Sequence, residues 1–293
     1  MPITDQFLDY LTHQKRYSSH TITAYKNDLD QFYSFLSTDY DISNITAVNS
    51  TIIRSWIVAL LEENISTNSI NRKISTLKTY FKYLQKNNVV TENPLLKIVA
   101  PKTKKTLPVF VKEKEIEQLF EQLTFEDTYE GYRDQLILEL FYSTGMRLSE
   151  LIALKISSVN IHESNLKVLG KRNKERIIPF TNQLNQQLQK YIEYRTHIES
   201  ELDFLFLTNN NKKLYPKFVY RLVNTYLSLV TKISKKSPHV LRHTFATHML
   251  NKGADLNAIK EILGHANLSA TQVYTHNTIE KLKNIHQQAH PKA

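Results

Sequence analysis

The chain of 293 residues contains no cysteine, which excludes disulfides, thiolate metal sites and cysteine nucleophiles together. Glycine is scarce as well, at five residues, so the places where it does occur carry information. Long apolar runs are missing. The longest, Trp56-Ile-Val-Ala-Leu-Leu61, falls far short of the roughly 20 residues that a membrane-spanning helix needs. No basic-then-apolar segment of the signal type opens the chain, so a cytoplasmic location with no membrane partner is expected. Acid is missing locally. Between Glu63 and Glu92 there is none, while Arg72, Lys73, Lys78, Lys82 and Lys86 fall within that interval.

What is present describes an ordinary globular protein, with 41% hydrophobic and 23% charged residues and enough length for two domains. Net charge is +10 and unevenly spread. Residues 1–100 hold 10 Lys/Arg against 9 Asp/Glu, and the remainder holds 28 against 19. The basic run at 72–86 is interleaved with Tyr80, Phe81 and Tyr83, a composition that suits a polyanion surface. A solvated helix face is the plain alternative.

The first hundred residues read as all-helical, with periodic segments near 4–13, 18–37, 48–63 and 67–87. Ser18-Ser19, Asn49-Ser50 and Ser66-Thr67 stand where caps are needed. Asn93-Pro94 closes this part. The segment Ala100-Pro-Lys-Thr-Lys-Lys-Thr-Leu-Pro108 is basic, proline-bounded and without apolar periodicity, so it reads as a linker. Its Lys102, Lys104 and Lys105 could follow a phosphate backbone, or the segment could be a plain tether. Domains are therefore expected at 1–99 and 109–293.

The second part is mixed. Helices are expected near 112–123, 131–143, 147–154, 182–199, 216–232, 239–252, 255–263, 267–273 and 278–288. Two strands at 165–169 and 175–179 flank the polar turn Gly170-Lys-Arg-Asn-Lys174 as a hairpin. In "HVLRHTFATHML", Leu241, Phe245, Met249 and Leu250 recur as a core stripe, with His239 and Arg242 together on a face beside it. Gly145, Gly170 and Gly264 are each followed within two positions by a charged or titratable residue, and Gly145 and Gly264 also suit helix C-caps.

Arg147, Lys171, His239, Arg242, His265 and Tyr274 are the candidates for chemistry, and each has an ordinary structural explanation when taken singly. Their order and contexts say more. "STGMRLSEL", "GKRNKERIIP", "SPHVLRHTFATHML", "ILGHANLSATQVYTH" and "IEKLKNIHQQAHPKA" resemble the tyrosine recombinase family, and within it the bacterial Xer group. The resemblance implies a mainly α chain with a small antiparallel β-sheet in the catalytic domain, shaped as a two-domain C-shaped DNA clamp. It implies Arg147 and Arg242 as catalytic arginines, Lys171 as the hairpin lysine, His239 and His265 as the histidines, and Tyr274 as the nucleophile. It further implies double-stranded DNA as substrate and a 3′-phosphotyrosyl intermediate, with neither cofactor nor metal. Four protomers, alike or of two kinds, would exchange the helix at 278–288 across two recombination sites. A second Xer-type recombinase and a division-linked DNA translocase are the implied partners, and chromosome dimers the implied substrate.

The residues fit that chemistry independently. Attack on a phosphodiester builds negative charge on its non-bridging oxygens, and guanidinium forks suit those oxygens while staying charged at any working pH. A tyrosine hydroxyl, with an ordinary pKa of about 10, needs a base or a strong positive field. The chain departs from the family where Arg172 follows Lys171 in place of a frequent glycine, a change that could stiffen the turn or add a phosphate contact. Lys174 is a second candidate for the lysine role. Glu175 and Arg176 read as members of cross-strand ion pairs. Three other readings are an integrase of a mobile element, a non-catalytic DNA-binding protein, and a zinc hydrolase prompted by His239 and His243. Against the last, no glutamate follows His239, and Arg242 would repel a metal there.

Overall fold

The computed structural model describes residues 3–103, 109–170, 175–264, 285–286 and 288–291. The chain divides into two compact units, Met1–Thr106 and Leu107–Ala293.

The first unit is helical: α1 (Ile3–Asp9, running on into a π-turn), α2 (Ser19–Tyr40), α3 (Ser50–Glu62) and α4 (Thr67–Lys86). Each of the last three starts where a polar side chain meets free backbone N–H groups. Ser18 accepts from Thr21 N, Asn49 from Thr51 and Ile52 N, and Ser66 from Ser69 N. Phe7, Phe32, Trp56, Tyr80 and Phe81 fill the core between these helices, with the Phe32 and Trp56 rings 4.8 Å apart.

Two expectations for α4 are corrected. Tyr80 and Phe81 do not interleave a charged surface but lie fully inside, because the helical period turns them with Leu77 and Leu84. Lys73 is only 5% exposed, and its ammonium is held by Asp28 at 3.0 Å and by Gln31. Arg72 also binds Asp28, but its side chain stays half exposed. Lys78, Lys82 and, outside the helix, Lys102 are exposed.

In the second unit the elements run α5 (Glu113–Glu117, also ending in a π-turn), α6 (Tyr129–Thr144), α7 (Leu148–Ala153), β1 (Val159–Asn160), β2 (Asn165–Leu169), β3 (Glu175–Pro179), α8 (Asn182–Thr196), α9 (Pro216–Val230), α10 (Pro238–Asn251) and α11 (Leu256–Leu263). The hairpin strands match the sequence reading, and β1 adds a short third strand in the antiparallel order β1-β2-β3. In β2 and β3 the period of two sends Leu166, Val168, Arg176 and Ile178 to the buried face. The hairpin turn at 171–174 and the helix expected at 267–273 lie outside the described residues.

Helix α6 is buried around nearly its whole C-terminal half, and α10 packs on it through Leu241, Phe245 and Met249. Leu250, expected in that stripe, is instead 50% exposed. Of the expected helix at 278–288, only residues 285, 286 and 288 are described. Ile285 packs on this unit's own core, and His286 donates its Nε2–H to the Ser143 carbonyl at 2.6 Å. Just beyond, His290 donates to the Tyr142 carbonyl at 3.3 Å. Burial pushes the His286 pKa down, which favours the neutral ring that such packing needs.

Candidate active site

Two helices stop at glycines, and their ends receive the same arginine. Helix α6 closes at Gly145 (φ +59°) and α11 at Gly264 (φ +65°), both in the left-handed region that glycine enters without a Cβ penalty. Arg242, on the face of α10 between them, donates Nη1 to the Gly145 carbonyl and Nη2 to the Leu263 carbonyl at 2.7 Å. Those carbonyls belong to the C-terminal ends of helices, which have spare acceptors and partial negative charge. Packing of Leu241 and Phe245 fixes α10 below, and Arg242 as a residue is only 8% exposed, so its guanidinium has little freedom.

The turn after Gly145 delivers Arg147 at the mouth of α7. Its Nη2 donates to the Gly264 carbonyl at 2.9 Å and its Nη1 to Glu150 Oε1 at 2.9 Å, while its backbone N–H donates to Glu150 Oε2 at 2.7 Å. Glu150 is buried and also receives Arg176, through Nη1 on Oε1 at 2.7 Å and Nη2 on Oε2 at 2.8 Å. Two guanidinium groups thus share one carboxylate, with Arg242 a third cation close by, and the cluster keeps an excess of positive charge.

That excess is visible in the proton affinities. Burial, then the charges of Arg147 and Arg176, lower the Arg242 pKa to about 10, still a cation at neutral pH. Burial alone would raise the Glu150 carboxyl, but the hydrogen bonds and charge of Arg176, followed by Arg147, outweigh it and leave it at about 2. A site with more fixed cations than anions, closed off by burial, is one that an incoming phosphate would relieve.

A cavity of about 480 Å³ opens beside this cluster. Arg147, Arg242, His239, His243, Thr247 and Lys260 supply its polar lining, and Leu250, Leu256 and Ile259 are among its apolar residues. His239 is exposed in the first turn of α10, with its ring centroid 6.0 Å from that of His243. Of the six residues expected to carry chemistry, Arg147, His239 and Arg242 line this one cavity. Lys171, His265 and Tyr274, with Arg172, Lys104 and Lys105, lie outside the described residues.

One member of the site, Arg176, was misread in the sequence. Glu175 does pair across the hairpin, with Lys167 at 2.8 Å, but Arg176 turns inward to Glu150 instead. Strand parity was the available signal, since an arginine two residues before the inward Ile178 must itself point in and find a buried acid. Glu150 was legible only as a possible neighbour of Arg147. Lys260 carried no signal at all.

Comparison with known proteins shows the family. Residues 109–281 match the model of the phage integrase family, and residues 4–88 that of the phage integrase N-terminal SAM-like domain. The chain is 36% identical to the tyrosine recombinase XerC of Chlorobaculum parvum, over 99% of its own length and 94% of that protein. Against the tyrosine recombinase XerC of Staphylococcus aureus the identity is 37%, over 99% and 97%. Among solved structures, a XerH site-specific recombinase bound to a palindromic difH substrate shares the fold with a TM-score of 0.73 at 20% identity, covering 96% of this chain and 83% of that one. The Tn1549 transposon integrase in complex with circular intermediate DNA does so at 0.71 and 19%, covering 96% and 98%. With a family match across most of the chain and curated relatives above one third identity end to end, this chain belongs to the phage integrase family of tyrosine recombinases.

Proposed function

We propose that the chain is a site-specific DNA recombinase of the Xer type that cuts and rejoins strands through Tyr274, and that it resolves chromosome dimers before cell division. The observation that carries the reading is the pair Arg147 and Arg242, both in one cavity with His239 and both held on main-chain carbonyls. Full-length similarity to XerC proteins favours the Xer role over mobile-element integration.

In this reading a backbone phosphate of DNA enters the cavity, and the two guanidinium groups take its non-bridging oxygens. Preorganised donors of this kind stabilise developing charge by about 3–4 kcal/mol each. The Tyr274 oxygen attacks phosphorus, its proton passing to His239 or His265, and the bond to the 5′ oxygen breaks. Lys171 gives that oxygen its proton. The product is a 3′-phosphotyrosyl ester and a free 5′-hydroxyl, and attack by a partner strand's hydroxyl reverses the step. Phosphoester bonding is conserved throughout, so the chemistry needs no nucleotide cofactor.

Arg72, Lys78, Lys82, Lys102, Lys104, Lys105 and Arg172 are the proposed backbone contacts, with Lys73 removed because it is buried, whereas Arg72 keeps half of its side chain exposed. Assembly as a tetramer, with a second recombinase or with further copies of this chain, and control by a DNA translocase complete the proposal. Tyr274→Phe tests its centre. The variant should bind duplex DNA normally yet form no SDS-resistant adduct on a nicked suicide substrate; an adduct that persists assigns the nucleophile elsewhere.

A further inference from the structure

We infer that Arg176 is a positioning residue for strand cleavage: by occupying Glu150 fork-to-fork, it keeps the outer donors of Arg147 available to the scissile phosphate. The inference rests on the recombinase reading above and extends it to a residue that does not touch DNA.

Arg176 is 5% exposed and commits three donors, two to Glu150 and Nε to the Ile262 carbonyl at 2.8 Å. It also lies over Gly264, where an added Cβ would come within 3.1 Å of its Cδ. One side chain therefore ties β3, at the base of the hairpin carrying Lys171, to α7 and to the end of α11 that leads to His265. All three segments carry residues assigned to the chemistry.

A buried ion pair is weak as a stabilising device, because desolvation of both charges offsets much of their attraction. Its effect on Arg147 gives it another use. Both Glu150 oxygens accept from Arg147 as well as from Arg176, but the bidentate fork belongs to Arg176. Arg147 gives the carboxylate a single guanidinium donor, gives Gly264 a second, and keeps its remaining N–H groups for the cavity. Take Arg176 away, and Glu150 is a buried anion with one guanidinium beside it. The favoured geometry is then a bidentate Arg147–Glu150 pair, which withdraws donors from the phosphate and cancels the charge that the site needs.

Single-turnover cleavage of a nicked suicide duplex, measured as phosphotyrosyl adduct against time, tests this beside equilibrium DNA binding at fixed salt. Arg176→Met should slow cleavage on the order of 10²-fold without a comparable change in Kd. Removing the carboxylate as well, in Glu150→Gln/Arg176→Met, should recover roughly tenfold over the single variant, because the glutamine releases Arg147. A residue that merely staples the fold predicts the opposite, a double variant as slow or slower. Should Arg176→Met fail to fold, Arg176→Lys against Glu150→Gln/Arg176→Lys makes the same comparison, since lysine keeps the cation but cannot form the fork. The inference is overturned if either single variant cleaves at the wild-type rate, if binding falls in step with cleavage, or if the double variant shows no recovery. Absence of adduct from the wild-type protein would instead strike the recombinase reading itself.

Discussion

Replacing Gly145 by alanine separates two costs that the structure keeps distinct, backbone and packing. At φ +59° an L-residue pays about 1–2 kcal/mol for the left-handed conformation. The added Cβ would also sit 2.5 Å from Phe245 Cδ1 and 2.7 Å from Leu263 Cδ2, and both side chains are buried. Overpacking a core in this way adds about 1–3 kcal/mol. The sum, about 4 kcal/mol, corresponds to a fall of about 10 °C in the melting temperature of a unit this size. Gly253→Ala is the control. Its φ is +86° but nothing lies within 4 Å of the new Cβ, so only the backbone cost of about 1–2 kcal/mol, or about 4 °C, applies. Thermal unfolding followed by circular dichroism reports both helical units, and the transition of the second is the one that should shift. Fluorescence of Trp56, the only tryptophan, reports on the first and should stay unmoved. Because Phe245 and Leu263 flank the Arg242 anchors, Gly145→Ala should also slow cleavage at temperatures where it remains folded. Equal melting shifts for the two alanine variants would refute the packing argument.

Glu150 makes a pH-dependent contribution. Its pKa of about 2 lies below the ordinary 4.5, so the stabilisation is complete above about pH 4.5 and is lost as pH falls toward 2. It amounts to about 3 kcal/mol, and the difference in urea midpoint between wild type and Glu150→Gln should shrink over that interval. Arg242→Ala should cut the cleavage rate on the order of 10²–10³-fold while DNA affinity changes far less, as measured by suicide-substrate kinetics beside a binding titration. Binding should weaken steeply with added salt. Lys82→Ala should lower the slope of log K against log salt by about one, whereas Lys73→Ala should leave the slope alone and reduce stability by stripping Asp28 of a partner.

Local signals in the sequence carried most of the architecture. Ser18, Asn49 and Ser66 marked helix starts because a cap is a matter of a few adjacent residues. The hairpin strands were legible from alternation, and Gly145 and Gly264 from their scarcity and their neighbours. Residues whose role depends on what lies across the fold were harder to read. Lys73 and Lys82 look alike along α4, and only Asp28 on α2, some 45 residues away in sequence, decides that one is buried. Arg176 faced the same problem, since its acid is 26 residues distant on α7. In the candidate site, Arg147, His239 and Arg242 were recognisable from motif order, while Glu150 gained its meaning only when two arginines were seen to share it.

Arg242 rests on the oxygens of Gly145 and Leu263, and Arg147 on that of Gly264. A peptide oxygen is supplied by every residue type, so a substitution at 145, 263 or 264 leaves the acceptor in the chain, although at 145 and 264 the left-handed turn that aims it favours glycine. Such a footing also holds a cation still without neutralising it, as an acid would. Durability at the heart of this enzyme is therefore set by where two helices come to rest, and the surrounding sequence is free to drift as long as those stopping points stay put.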